Sequence, residues 1–72
     1  MPRKRRQLCA DLRRAGFSID HQLGSHQVWK HALIPGVSAN LAGADGADAK
    51  PYQEQEVRDA LRRLEEAQRR QP

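Results

Sequence analysis

His21, His26 and His31 recur at intervals of five, with a lone cysteine, Cys9, upstream of them. Imidazole is the side chain whose charge changes near neutral pH, so these positions are the first candidates for moving a proton. A zinc site would need three or four convergent ligands. An odd interval along strands turns successive histidines to opposite faces, which argues against a shared metal. Cys9 adjoins an apolar helical stripe, and nothing near it in sequence would lower its pKa, so it reads as a core residue. Asp45 and Asp48 offer too few oxygens, too widely spaced, for a hard cation. No glycine-rich phosphate loop, paired-carboxylate signature or Ser-His-Asp pattern can be recognised. The chemistry narrows to His26, which directly follows Gly24-Ser25.

The segment from Gly24 to His31 alternates polar and bulky residues, the period of a half-buried strand. Gly24 can take the positive φ that a hairpin turn often needs. Trp29, the largest apolar side chain, should face the core and carry Gln27 and His31 to its face. His26, Val28 and Lys30 then fall on the other face. Lys30 is costly to bury, which agrees. His26 thus stands at the mouth of a strand, beside a turn, on an open face, where it can transfer a proton or meet an anion.

The elements that must position it follow from periodicity. Leu8, Leu12 and Ala15 predict an amphipathic helix over roughly Lys4–Ala15, ended by Gly16. Its start, Arg3-Lys4-Arg5-Arg6, opposes the helix dipole, so it reads as a frayed tail or as charge for a partner. Phe17 to Gln22 reads as a strand, apolar on odd positions until His21, and Leu23-Gly24-Ser25 turns it into the next. Pro35-Gly36 is a turn, Val37 to Ala42 a short third strand, and Gly43 to Lys50 a loop. Pro51 opens a long helix to about Arg70, with Tyr52, Val57, Leu61 and Leu64 as its buried stripe and Ala60 and Ala67 beside it. The order predicts a single α+β domain over residues 1–72, α-β-β-β-α, with a three-stranded antiparallel sheet and both helices on one face. The last few residues should fray.

The chain has 72 residues, with Lys and Arg totalling 13 against 9 for Asp and Glu, for a net charge of +4. A domain this small buries only about 60% of its unfolded surface, which excludes a deep enclosed site and favours a shallow one, or one completed by a partner. The sequence pI of about 10.0 suits polyanions, nucleic acid first among them. A single cysteine forms no internal disulfide and fits a reducing cytoplasm. No apolar run approaches membrane-spanning length, and no apolar segment follows the basic start as in a signal peptide, so the expected location is cytoplasmic.

The run Leu12-Arg13-Arg14-Ala15-Gly16-Phe17, then Gly24-Ser25-His26 with Trp29 and His31 behind it, resembles the HicA toxins of bacterial toxin–antitoxin pairs. Asp45-Gly46 and the segment from Asp48 to Glu54 are similar to one branch of HicA-like proteins, so the resemblance covers nearly the whole chain. It implies a fold like the double-stranded-RNA-binding domain. It also implies ribosome-independent cleavage of mRNA without a cofactor, and neutralisation by a HicB-like antitoxin. The family's catalytic histidine is the one in Gly-Ser-His, which falls on His26. Such proteins often carry a second histidine after the third strand, and this chain has Ala44 at the matching place, which would weaken the site if that histidine contributes. The segment after His31 also departs from the usual turn.

Cleavage of RNA needs no metal, because the 2′-hydroxyl is the nucleophile and the enzyme need only move protons and stabilise charge. His26 is the expected catalyst, as general acid or general base. Lys30, Lys50, Arg5 and Arg6 are the expected RNA contacts, and Gly24 and Ser25 form the turn supporting the site. A non-catalytic RNA-binding module, or a domain that binds only the antitoxin, remains open on the same fold.

Overall fold

The computed structural model describes residues 3–44 and 46–70. Helix α1 spans Arg5–Arg14, strands β1, β2 and β3 span Ser18–Leu23, His26–Lys30 and Ser38–Leu41, and helix α2 spans Pro51–Arg70. The strands form one antiparallel sheet in the order β1-β2-β3. Both helices pack on the face that carries Trp29, Ala39 and Leu41, with Leu8, Cys9 and Leu12 from α1 and Val57, Ala60 and Leu64 from α2. Trp29 is 1% exposed, with Phe17 buried and Ile19 half-buried near it. The Gln27 side-chain oxygen accepts from the Trp29 indole at 3.3 Å and from the Cys9 thiol at 3.6 Å, which gives both buried donors a partner. The Arg13 guanidinium lies 5.1 Å from the Trp29 ring centroid and covers it from the helix side.

Helix α1 ends as its sequence predicts. Gly16 takes φ +97°, its N–H donates to the Arg13 carbonyl, and the Phe17 N–H donates to the Leu12 carbonyl. This double closure ties off the last carbonyls and needs the left-handed residue. A side chain at position 16 would also meet the His31 ring, 2.9 Å from where its Cβ would stand. His31 is part of the packing: it lies edge-on to Phe17 at 5.2 Å, and its Nδ1 accepts from the Leu33 N–H at 3.0 Å.

The basic start is not a frayed tail from Arg3 onward. Arg3 pairs with Asp11, and the Lys4 ammonium pairs with Asp48 at 2.6 Å. The backbone is held as well, with the Ala49 N–H donating to the Arg3 carbonyl and the Arg5 N–H to the Ala47 carbonyl. Acidic side chains reached from the helix face and the loop offset the charge that the dipole disfavours, so the loop after β3 binds the start of α1. Asp45 of that loop lies outside the described residues.

Two features depart from the periodic reading. Strand β1 shifts register at Asp20: Ile19 pairs with Trp29, but His21 pairs with Val28 and Leu23 with His26. The extra residue is a β-bulge, and it moves every later side chain of β1 to the opposite face. In α2, Tyr52 is not part of the buried stripe. It is 60% exposed, while Gln53 is 3% exposed and begins the stripe that continues through Val57, Ala60 and Leu64. Gln53 is buried because it is bonded. Its amide donates to the Ala42 carbonyl at 3.0 Å, and its oxygen accepts from the Lys50 N–H at 3.0 Å, an orphan donor at the helix start.

No helix of the described residues is long and apolar enough to cross a membrane.

Candidate functional site around His26

The β1–β2 connection is a two-residue loop, Gly24-Ser25, between the paired residues Leu23 and His26. Gly24 takes φ +61°, the conformation that two-residue hairpins with glycine first require. Three tethers hold the loop. The Arg5 guanidinium donates to the Ser25 carbonyl at 3.3 Å, the Gly43 N–H donates to the Ser25 hydroxyl at 3.4 Å, and the Gln22 amide donates to the Gly24 carbonyl at 2.9 Å. The loop is therefore anchored to the start of α1 and to the end of β3, and the strand that begins at His26 leaves it in a fixed direction.

His26 is exposed on the face away from the helices. Its Nε2 lies 3.2 Å from the Asn40 side-chain oxygen. Asn40 in turn donates twice to one oxygen of Glu56, from its amide at 2.7 Å and from its backbone N–H at 2.9 Å. The backbone bond closes the outer edge of β3, where a strand would otherwise present unpaired groups. The side-chain bond has a chemical consequence. An ionised carboxylate only accepts, so the Asn40 atom facing Glu56 is its NH2, which turns the oxygen to His26. Nε2 is then the nitrogen that carries the hydrogen, and in the neutral ring Nδ1 keeps the lone pair. Glu56, Asn40 and His26 thus form a chain of donors and acceptors that gives an exposed histidine one tautomer and one orientation.

A hollow of about 190 Å³ lies beside His26, lined also by Asn40, Leu41, Ala42 and Tyr52. A larger one, about 550 Å³, lies across Tyr52 between Gly36–Ser38 and α2. It carries Glu56, Asp59 and Arg63 but no histidine, and its acidic side chains do not invite a polyanion. Tyr52 is the ridge between the two.

The structure gathers some of the residues expected to act with His26 and separates others. Gly24 and Ser25 form the turn that immediately precedes it. Lys30 shares its face but stands at the other end of β2, about 13 Å away at the strand rise. It lies near Asp20 and is half-buried, so it is a neighbour of the bulge and not of the histidine. Lys50 is exposed just before α2, two residues from Tyr52. Arg6 is exposed on α1, whereas Arg5 is 3% exposed and its guanidinium holds the Ser25 carbonyl. Burial and that bond make Arg5 a support of the turn, in place of the expected RNA contact. His21 is exposed and hydrogen-bonded to Asp20 at 2.9 Å, a contact that holds the Asp20 carboxyl below its ordinary value. Among the described residues no cluster of three or more His, Cys, Asp and Glu side chains is placed to hold a metal ion.

Periodic reading missed three members of the site. Asn40 sits at a polar position of an alternating strand, and Glu56 sits four residues after Tyr52 on α2, but only the fold brings them together. Leu23 reaches the His26 face because of the bulge. No family model, no curated protein and no solved structure matches the chain.

Proposed function

We propose that this chain is a small ribonuclease that cleaves RNA at His26. The observation that carries the reading is the orientation of an exposed histidine by Asn40 and Glu56, beside a hollow on a basic protein of net charge +4. A histidine that only decorated a surface would need no such support. With Nε2–H held by Asn40, Nδ1 acts as general base and removes the proton of a ribose 2′-hydroxyl. The 2′-oxygen then forms a bond to the adjacent phosphorus and the bond from phosphorus to the 5′-oxygen breaks. The departing oxygen takes its proton from solvent. The products are a 2′,3′-cyclic phosphate and a 5′-hydroxyl, and no metal or oxidant enters the balance. The Glu56 charge, passed through Asn40, stabilises the imidazolium that forms.

The resemblance to HicA toxins agrees with this assignment and extends it: the substrate would be mRNA, and a HicB-like antitoxin would hold the protein inactive. One observation favours the non-catalytic alternative. Position 44, where the family often has a second histidine, is alanine, and it follows Gly43, whose N–H bonds the Ser25 hydroxyl. That places it beside the turn leading to His26, where a general acid would be useful.

The test is cleavage of an end-labelled RNA by the wild type and by His26→Ala, with chelator present and product ends identified. General acid–base catalysis is typically worth about 10²–10⁴-fold, so the variant should lose that much while keeping its fold. Equal cleavage by both proteins, or products with 3′-hydroxyl ends, would remove the assignment.

A further inference from the structure

Two large apolar side chains stand exposed among the described residues, Leu23 at 83% and Tyr52 at 60%. Both border His26. Leu23 is its direct partner across β1 and β2, so the two side chains share the open face. Tyr52 lines the hollow on the other side, with His26, Asn40 and Ala42. Neither belongs to the core cluster. Single exposed apolar residues are ordinary, but two that flank one oriented histidine make a patch of the kind that marks a binding site.

We propose, on the reading of His26 as a ribonuclease centre, that this hollow seats one unpaired nucleotide of RNA, its base against the Tyr52 ring and its phosphate at His26. The placement argues for an unpaired base. In a duplex each base already stacks on its neighbours and offers no free face to a protein ring, whereas single-stranded RNA is bound by stacking on aromatic side chains. The charge of the chain suits the backbone of such a strand, and Lys50 is exposed two residues before Tyr52. The polar group best placed to read a base edge, the Asn40 amide, is committed to Glu56 and His26. Recognition therefore rests on the base's face, and every base has one. The site discriminates paired from unpaired RNA strongly and one base from another weakly. Leu23 closes the opposite side of the histidine and packs on the sugar or base of the adjoining nucleotide.

The experiment measures binding apart from cleavage. In a His26→Ala background, which stops turnover, the affinity of a short fluorescein-labelled single-stranded RNA is compared with that of the same sequence as a duplex. Tyr52→Ala should weaken the single strand about 5- to 150-fold, the range for one stacked base, and leave the duplex unchanged. Tyr52→Phe should bind as the parent does, which separates the ring from its hydroxyl. An abasic nucleotide moved along the RNA should weaken binding at one position, and there Tyr52→Ala should add nothing further. Melting temperature serves as the folding control, since Tyr52 is largely exposed. Equal affinity of Tyr52→Ala and its parent for the single strand overturns the proposal and leaves the patch to a protein partner. So does tighter binding of the duplex. Tyr52-dependent binding by a wild type that cleaves nothing supports the nucleotide site and removes the nuclease reading alone. Cleavage that is indifferent to Tyr52→Ala does the reverse.

Discussion

Asn40→Ala separates a supported histidine from a merely exposed one. The substitution removes the oxygen that Nε2 of His26 donates to at 3.2 Å and the amide that donates to Glu56 at 2.7 Å, and it leaves the backbone bond to Glu56 in place. A single hydrogen bond of this kind contributes about 0.5–1.5 kcal/mol net. If the contact with His26 acts by holding the ring for proton transfer, its loss should lower the rate of the chemical step by about 2- to 12-fold, at about 1.36 kcal/mol per factor of ten. That lies well short of the about 10²–10⁴-fold expected for His26→Ala. Binding of substrate should change little, because the Tyr52 ring that takes the base and His26 itself are both kept. The bond to Glu56 adds a cost to folding of about 1 kcal/mol, or about 4–8 °C in melting temperature for a domain of this size.

Two assays check this together. Single-turnover cleavage gives the rate of the chemical step, and a concentration series gives the affinity. Nitrogen NMR of the imidazoles, with each ring assigned by its His→Ala variant, reports which nitrogen carries hydrogen. The wild type should show His26 protonated at Nε2 with Nδ1 bare at high pH, and Asn40→Ala should show a mixture. A wild-type ring with its hydrogen on Nδ1 would refute the donor logic at once. An unchanged chemical rate in Asn40→Ala would show that the contact does nothing for catalysis, whatever it does for the edge of β3.

Asp11→Asn addresses acid stability. Partial burial opposes ionisation of Asp11, but hydrogen bonds and charge from Arg3 and Arg14 outweigh it and hold the carboxyl below its ordinary value. A depressed carboxylate stabilises the fold above its unfolded pKa of about 3.9 and stops doing so as pH falls through its lower folded value. Wild type should therefore lose stability across that acid range, and Asp11→Asn should lose less there while starting about 1 kcal/mol lower at neutral pH; parallel melting curves at all pH values would contradict this. Arg5→Ala should cost about 2 kcal/mol by chemical denaturation and lower cleavage through the turn, since the guanidinium is buried against the Ser25 carbonyl; a variant as stable as wild type that binds RNA less well would return Arg5 to the RNA surface. Ala44→His should raise the cleavage rate at least about tenfold if position 44 supplies the missing acid, and no gain would show that His26 works alone there.

Much of the fold was legible because its signals are local. Leu8, Leu12 and Gly16 define a helix and its stop, and the closure from Phe17 N–H to the Leu12 carbonyl follows from the glycine. Trp29 set the facing of β2, and the structure agrees, with Gln27 turned to the helices and His26 away from them. The pairing of Lys4 with Asp48 was not legible, because 44 residues separate them in the chain and only closure of the fold makes them neighbours. The same holds for Asn40 and Glu56. Each is an ordinary polar residue on its own element, and the role of each depends on α2 running along the outer edge of β3.

Two further failures of periodic reading have a common location. The alternation ended the first strand at Gln22 and left Leu23 to the turn, whereas β1 continues through Leu23 and the bulge at Asp20 sets it opposite His26 on the open face. Helical spacing assigned Tyr52 to the buried stripe, and Gln53 takes that place because its amide and oxygen bind Ala42 and Lys50. A rotation of one residue, about 100°, is enough to turn the tyrosine out of the core and beside the histidine. Either change alone would be a local accident of a small domain. Together they move both large exposed apolar side chains to the two flanks of one residue, at the cost of an unpaired position in β1 and a buried glutamine in α2. Departures from local rules tend to collect where function opposes the simplest packing. That convergence is independent of the hydrogen bonds that orient His26, and it supports the same site.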